Sequence, residues 1–363
     1  DKIKAISIIG TNGKYSTIRA MFAILKEANI NCNIYTSPHI KRINERFVYN
    51  DDEIQDVELA NLLEEVEEIN NGDQITFFEI LTAAFFHGCK KYSNNLTICE
   101  YGLFARFDAV NILKKNLANI ITSCGLDHLD WLPKDERTIE KIVFEKTSSL
   151  LNSNIIVSKQ NFEKTNYYIK KTILKNSSNK LFFNEDFSFS HGENDFFYYE
   201  DKFGGLKLPL PNILGEFQLE NISTAIATLR QLNIGIKDKD IKNGIANIKS
   251  IARLQEIKSG KLKNLIKNNR LLLDGSHNED GSRVLNEYLQ TLNCRKHVIL
   301  GMMANKDHEK YISYFKNITS LTTIDIPNQP NAISGEKLKE KFKNIPNVQY
   351  KKSIKEAIQS IRF

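Results

Sequence analysis

The chain has 363 residues, 41% of them hydrophobic, which is more than one core needs, so two domains are expected. No run of about 18 uncharged apolar residues occurs, and the start resembles neither a secretory signal nor an Arg-rich transit peptide, so a cytoplasmic protein without membrane partners is expected. The net charge of +6 comes from lysines interleaved with Asp and Glu rather than clustered with aromatics, which argues against nucleic acid and suits small anionic substrates.

Apolar runs alternate with helical patterns through the first half. Strands are expected at Lys4–Ile9, Asn33–Tyr35, Leu96–Glu100 and Asn119–Ser123, with helices near Thr17–Ala28, Asp56–Ile69 and Thr76–Tyr92. That rhythm predicts an α/β fold with a mainly parallel sheet. Between Ile155 and Leu210, aromatic runs such as Leu181-Phe182-Phe183 and Asp195–Tyr199 are broken by Gly, Asn and Asp, which suggests added antiparallel strands. A helix over Phe217–Leu232 restores the earlier pattern, and Asn247–Ala252 reads as the passage into a second domain. There Leu271–Asp274, a helix over Gly281–Leu292 and His297–Leu300 predict a βαβ arrangement. The five cysteines are scattered and odd in number, with no Cys-x-x-Cys pair, so reduced thiols are expected.

Residues Gly10-Thr11-Asn12-Gly13-Lys14-Tyr15-Ser16-Thr17 follow the apolar run Ile6–Ile9 and precede a helical pattern. A strand that empties through glycines into a helix can cradle phosphate on backbone N–H groups, with Lys14 as a point charge and Ser16 or Thr17 as a Mg²⁺ hydroxyl. An ordinary strand–turn–helix junction is the competing reading, because only two residues separate the glycines. Ser37, Glu100 and His128 each follow or end a predicted strand, where ligands bind in an open α/β sheet. A hydroxyl, a carboxylate and an imidazole at three strand ends suit a metal-bound nucleotide.

The ordered set Gly10–Thr17, Tyr35–Ile40 with Asn44-Glu45-Arg46, Thr76–Glu79, Glu100–Asn111 and Gly125–His128 resembles the folylpolyglutamate synthase/dihydrofolate synthase family of the Mur ligase superfamily. The match continues through Phe144-Glu145-Lys146, Gly215–Asn221, Arg253-Leu254, Asp274–Asn278 and Gly301–Asp307. The resemblance implies a P-loop Mur-ligase-type central domain over residues 1–249 and a smaller Rossmann-like C-terminal α/β domain over 250–363, with a hinge near 247–252. It implies that Thr11, Asn12, Gly13, Lys14 and Ser16 hold the ATP phosphates. Ser37, Glu100 and His128 would ligate Mg²⁺, and a carbamylated Lys146 would help to hold a second ion. Thr76, Phe78, Asp108 and Ala109 resemble a pterin pocket. Asn221, Arg253, Asp274 and His277 would meet the nucleotide.

The implied reaction activates the carboxylate of dihydropteroate or a folate as an acyl phosphate, which the amino group of L-glutamate attacks. Lys14, Lys146 and Arg253 are the expected catalytic residues, small molecules the expected partners, and a monomer the expected state. Against the family pattern, Tyr15 replaces a glycine, Phe104-Ala105 a Gly-Gly pair and Thr147-Ser148 an Ala-Gly pair. Asp1 is not an initiator Met and Phe363 falls in a helical pattern, so the family's leading segment and last strands are missing from this sequence, as expected of a fragment or of a diverged member. A different Mur-type amino-acid ligase and a diverged ATP-binding protein without ligase activity are the rival readings.

Overall fold

The computed structural model describes residues 3–113, 115–150, 153–176, 178–193, 195–342, 345 and 347–362; Phe363, expected in a helix, lies outside them. Two units are formed, one from Asp1–Asn212 with Gln218–Lys249, the other from Ile213–Phe217 with Ser250–Phe363.

In the first unit the strands are β1 (Lys4–Ile9), β2 (Cys32–Tyr35), β3 (Phe47–Tyr49), β4 (Asp52–Glu53), β5 (Leu96–Glu100), β6 (Ala118–Ile121), β7 (Asn154–Val157) and β8 (Lys180–Phe182). They make one sheet in the order β4-β3-β2-β5-β1-β6-β7-β8. Pairing is parallel from β2 to β8 and antiparallel at β3 and β4. Inner parallel strands are covered on both faces, which is why β1, β5 and β6 read as continuous apolar runs instead of alternating. Ile6, Ile8 and Ile9 are fully buried. Because β2, β5, β1 and β6 are adjacent and parallel, their carboxyl ends and following loops lie side by side along one edge.

The helices are α1 (Lys14–Glu27), α2 (Asp56–Asn70), α3 (Phe77–Gly88), α4 (Ile139–Thr147), α5 (Glu163–Ile173), α6 (Phe217–Leu232) and α7 (Asp238–Ala246). In α1, Ile18, Met21, Ile24 and Leu25 recur at helical spacing and are all buried. The helix expected over 76–92 begins at Phe77, because Thr76 caps it, and tightens into a 3₁₀ turn over Cys89–Tyr92. An aromatic group of Tyr35, Phe47, Tyr49 and Phe85 fills the space between α3 and the sheet, with Tyr35 stacked on Phe85 at 5.0 Å. Of the broken aromatic stretch, Leu181 and Phe182 do not form an antiparallel strand as expected but join the main sheet in β8, parallel to β7, while the rest forms the antiparallel sheet β9 (Phe187–His191), β10 (Phe196–Asp201) and β11 (Leu206–Pro209).

The second unit holds β12 (Gln255–Glu256), α8 (Lys261–Asn264), β13 (Leu272–Leu273), α9 (Glu279–Gln290), β14 (His297–Leu300), α10 (His308–Ser313), β15 (Ser320–Ile324), α11 (Gly335–Lys341), β16 (Val348–Lys351) and α12 (Ile354–Gln359). The parallel sheet β14-β15-β16 surrounds its own core of Leu300, Met302, Leu321, Leu338 and Phe342. One expectation fails here. The strand expected at Leu271–Asp274 shortens to β13 and pairs antiparallel with β12, so it makes no βαβ unit with His297–Leu300. Asp274 is the cause: its carboxylate accepts the N–H groups of Leu254 (2.8 Å) and Ser276 (2.9 Å), which stops the strand and turns the chain.

Candidate active site

At the end of β1 the chain turns through Gly10 (φ 151°) and Gly13 (φ 91°) into α1. Thr11 and Asn12 donate their N–H groups to the carbonyl of Ser123 at 2.8 and 3.1 Å, which pins the loop to the end of β6. The Thr11 hydroxyl does the same with Gly125, donating to its carbonyl and accepting its N–H, both at 3.0 Å. The backbone donors of Thr11 and Asn12 are therefore used to brace the loop. An anion would meet the first turn of α1, whose positive dipole end favours negative charge. Lys14 folds back onto its own loop, with Nζ 2.9 Å from the Gly10 carbonyl and 3.9 Å from Glu100. Of the two hydroxyls considered for magnesium, that of Thr17 donates to the Gly13 carbonyl at 3.0 Å, while Ser16 is buried in the same turn.

Neighbouring strand ends complete this edge. Glu100 closes β5 and accepts the N–H of Ser37, from the loop after β2, at 3.0 Å. The loop after Ser37 is organised by Glu45, whose carboxylate accepts the N–H groups of Ile40, Lys41 and Arg42; burial pushes its pKa up, but those three bonds together outweigh it and hold the group below the usual carboxylate range. His128, beyond β6, sits in the left-handed region (φ 57°). Asn221 of α6 lies against Gly13, and its amide donates to Gln218 at 3.3 Å.

Lys146, on α4, is fully buried rather than a surface lysine. Its Nζ donates to the carbonyls of Leu103 (2.9 Å) and Gly10 (3.4 Å) and lies 5.3 Å from the Phe104 ring centre. Burial, then the charge of Lys14, pushes its pKa down to about 8.

Phe78 is half-buried against Gly102 and tilted on Tyr35 at 6.0 Å, close to Asp108. Asp108 has a job within the chain: Oδ2 accepts the N–H groups of Gly102 and Leu103, and Oδ1 that of Val110, all within 3.0 Å. Burial raises its pKa, with these bonds opposing. Thr76 is exposed and caps α3, and Ala109 is half-buried beside Asp108. In the second unit, Arg253, Asp274 and His277 gather around Gly275; Arg253 Nη1 reaches the Ala252 carbonyl at 3.2 Å and His277 Nδ1 the Gly275 carbonyl at 3.0 Å.

The bulky departures fit their backbones. Tyr15 lies within α1 and Phe104 has φ −117°, so neither position needs a left-handed conformation. Sequence reasoning missed Thr122, whose Oγ1 fills the space above Gly10, and Ser123, the anchor of the loop. Both directly follow the apolar run of β6, the one signal available.

A glycine-bearing strand-to-helix loop on a mainly parallel α/β sheet, followed by a second α/β unit, is the Mur-ligase-type arrangement that the sequence resemblance implies. Residues 260–362 match the family model described as Mur ligase, glutamate ligase domain. Curated relatives named dihydrofolate synthase/folylpolyglutamate synthase include one from Bacillus subtilis, 28% identical over 338 residues (87% of this chain, 75% of the relative), and one from Haemophilus influenzae, 26% identical over 358 (95% and 79%). The structure of E. coli FolC in complex with ADP superposes with a TM-score of 0.85 at 25% identity, covering 98% of this chain and 82% of that one. Residues 260–362 therefore carry a Mur ligase glutamate ligase domain, and over most of its length the chain is similar to folylpolyglutamate synthases and dihydrofolate synthases.

Proposed function

We propose that the chain is an ATP-dependent ligase that joins L-glutamate to dihydropteroate, to folates or to both through an acyl phosphate. The observation that carries the reading is the phosphate loop itself, with Lys14 poised 3.9 Å from Glu100 at the carboxyl edge of the sheet. The names of the curated relatives and the nucleotide in the FolC complex support it. Gly13, Lys14 and Ser16 would hold the phosphates from the start of α1, with the Thr11 and Asn12 side chains beside them and Asn221 fixing Gly13 from behind. Lys14 leaves the Gly10 carbonyl to neutralise charge on the transferred phosphoryl group, so catalysis is chiefly positioning and electrostatic.

The donor set at Ser37, Glu100 and His128 fits magnesium. Among the described residues no group of three His, Cys, Asp or Glu side chains could hold a metal, and Mg²⁺ ordinarily takes one or two protein ligands together with phosphate oxygens. When bound, the ion would neutralise phosphate charge. The second ion implied by the resemblance depends on a carboxylate at Lys146. Phe78 offers the acceptor a stacking face beside the loop that Asp108 shapes; Thr76 and Ala109 flank it. In the second unit Arg253, Asp274 and His277 are proposed as nucleotide contacts, with residues 1–249 and 250–363 as the two domains. A cytoplasmic monomer without nucleic-acid or membrane partners completes the reading.

The test is ADP release from the full chain with each component omitted in turn. Release that requires both L-glutamate and dihydropteroate or a folate is expected. Dependence on a nucleotide-sugar peptide acceptor would mean another Mur-type ligase, and ATP binding without release a non-catalytic member.

A further inference from the structure

Gln160, in the loop after β7, has no part in the proposed chemistry, yet its side-chain amide is bonded at both ends. Oε1 accepts the N–H of Cys124 at 3.0 Å, and Nε2 donates to the carbonyls of Thr122 (3.2 Å) and Ser158 (2.9 Å). One planar group thereby ties the end of β7 to the turn after β6. Its orientation is fixed, because a flipped amide would set its NH₂ against an N–H and its oxygen against two carbonyls. The next residue extends the tie, with Asn161 Nδ2 donating to Ser123 Oγ at 3.1 Å. Residues 122–124 are the turn on which the Gly10–Thr17 loop rests. The Ser123 carbonyl accepts the N–H groups of Thr11 and Asn12, and Thr122 Oγ1 occupies the space where a Cβ at Gly10 would stand.

A second line of contacts leaves the same segment. The hydroxyls of Ser158 and Thr224 of α6 meet at 2.9 Å, and Lys159 pairs with Glu220 of α6 at 2.7 Å. The same helix carries Asn221, whose Oδ1 would lie 2.4 Å from a Cβ at Gly13. The loop is thus held near its first glycine through residues 122–124 and at its second through α6. Both supports meet at residues 158–161, and bonds that close into a network restrain one another.

We propose that Gln160 is a positioning residue for the phosphate loop. By fixing residues 122–124 against β7 it places the Ser123 carbonyl, which orients the Thr11 and Asn12 backbone and with it the start of α1, where an anion docks. The inference rests on the reading of Gly10–Thr17 as that loop.

The experiment is amide hydrogen exchange of the full chain, which needs no ligand, beside calorimetry with Mg·ADP. Gln160→Met keeps the stem without the amide, and Gln160→Glu keeps size and shape without the donor. Both are expected to speed exchange at Thr11 and Asn12 about tenfold and to weaken Mg·ADP binding by a similar factor, the scale of one lost hydrogen bond. Exchange in β5 and in the sheet β9–β11 should stay as in the parent. Gln160→Asn, whose amide falls one methylene short, should lie between and serves where Gln160→Met does not fold. Unchanged exchange at Thr11 and Asn12 in a folded Gln160→Met chain would overturn the proposal. So would a rise spread evenly over β1, β5 and β6, the mark of a general stabiliser. A parent chain that does not bind Mg·ADP would remove the nucleotide reading and the proposal with it, and the two failures are told apart because exchange reports the bracing alone.

Discussion

Gly13 concentrates the geometry of the phosphate loop in one residue. Its φ of 91° is strained for any L side chain, and a Cβ there would stand 2.4 Å from Asn221 Oδ1. Gly13→Ala should cost about 1–3 kcal/mol of stability and most of the ADP affinity, since the backbone must shift where an anion would dock. A variant with unchanged melting temperature and ADP affinity would refute this role. Lys146 supplies a second prediction, in pH. Its folded pKa of about 8 lies below the ordinary lysine value of 10.5, so folding disfavours its protonated form. The penalty is fully present below about pH 8 and fades as pH rises from there toward 10.5. Lys146→Met should therefore gain stability relative to the parent at pH 7, by at most about 3 kcal/mol before the loss of its two hydrogen bonds, and the gain should shrink by pH 10. Denaturant titrations at the two pH values measure it; a difference that does not change with pH contradicts the burial argument.

At the scale of elements, capping decides where helices begin and which side chains remain for ligands. Thr76 accepts the N–H of Glu79 at 3.2 Å, and the Glu79 carboxylate accepts the N–H of Thr76 at 2.8 Å, which together close the first turn of α3. Thr76→Ala should destabilise by about 1 kcal/mol and Thr76→Ser by much less. Equal loss in both variants would point to the methyl group rather than the hydroxyl. The central strands were legible in sequence because a parallel strand buried on both faces is a plain apolar run, and Glu100 was legible as a strand end for the same reason. The run Leu271–Leu273 has the same look, yet Asp274 spends its carboxylate on two backbone N–H groups and β13 pairs with β12. Asp108 escaped in the same way. Its three N–H partners lie in a loop whose path depends on tertiary folding, so composition reveals a carboxylate beside a strand end but not what it already holds.

For the molecule as a whole, ligand binding and stability are one measurement. A nucleotide that binds only the folded chain at about 100 times its Kd adds about 2.7 kcal/mol. For a unit of this size that corresponds to a rise in melting temperature of roughly 5–10 °C. The effect should require Lys14, because its Nζ now rests on the Gly10 carbonyl at 2.9 Å and is the flexible charge within reach of an anion at the start of α1. Lys14→Ala removes that charge while leaving the bracing bonds from Thr11 and Asn12 to Ser123 in place, so its melting temperature without nucleotide should stay within a degree or two. Calorimetry of both chains with and without Mg·ADP separates the alternatives. An undiminished shift in Lys14→Ala would move the nucleotide away from this loop. A shift lost together with the variant's basal stability would instead mark Lys14 as a structural strut, with its contact to Glu100 more important to folding than to phosphate. Bonds that brace the loop independently of Lys14 favour the first pattern: normal basal stability and little response to ADP.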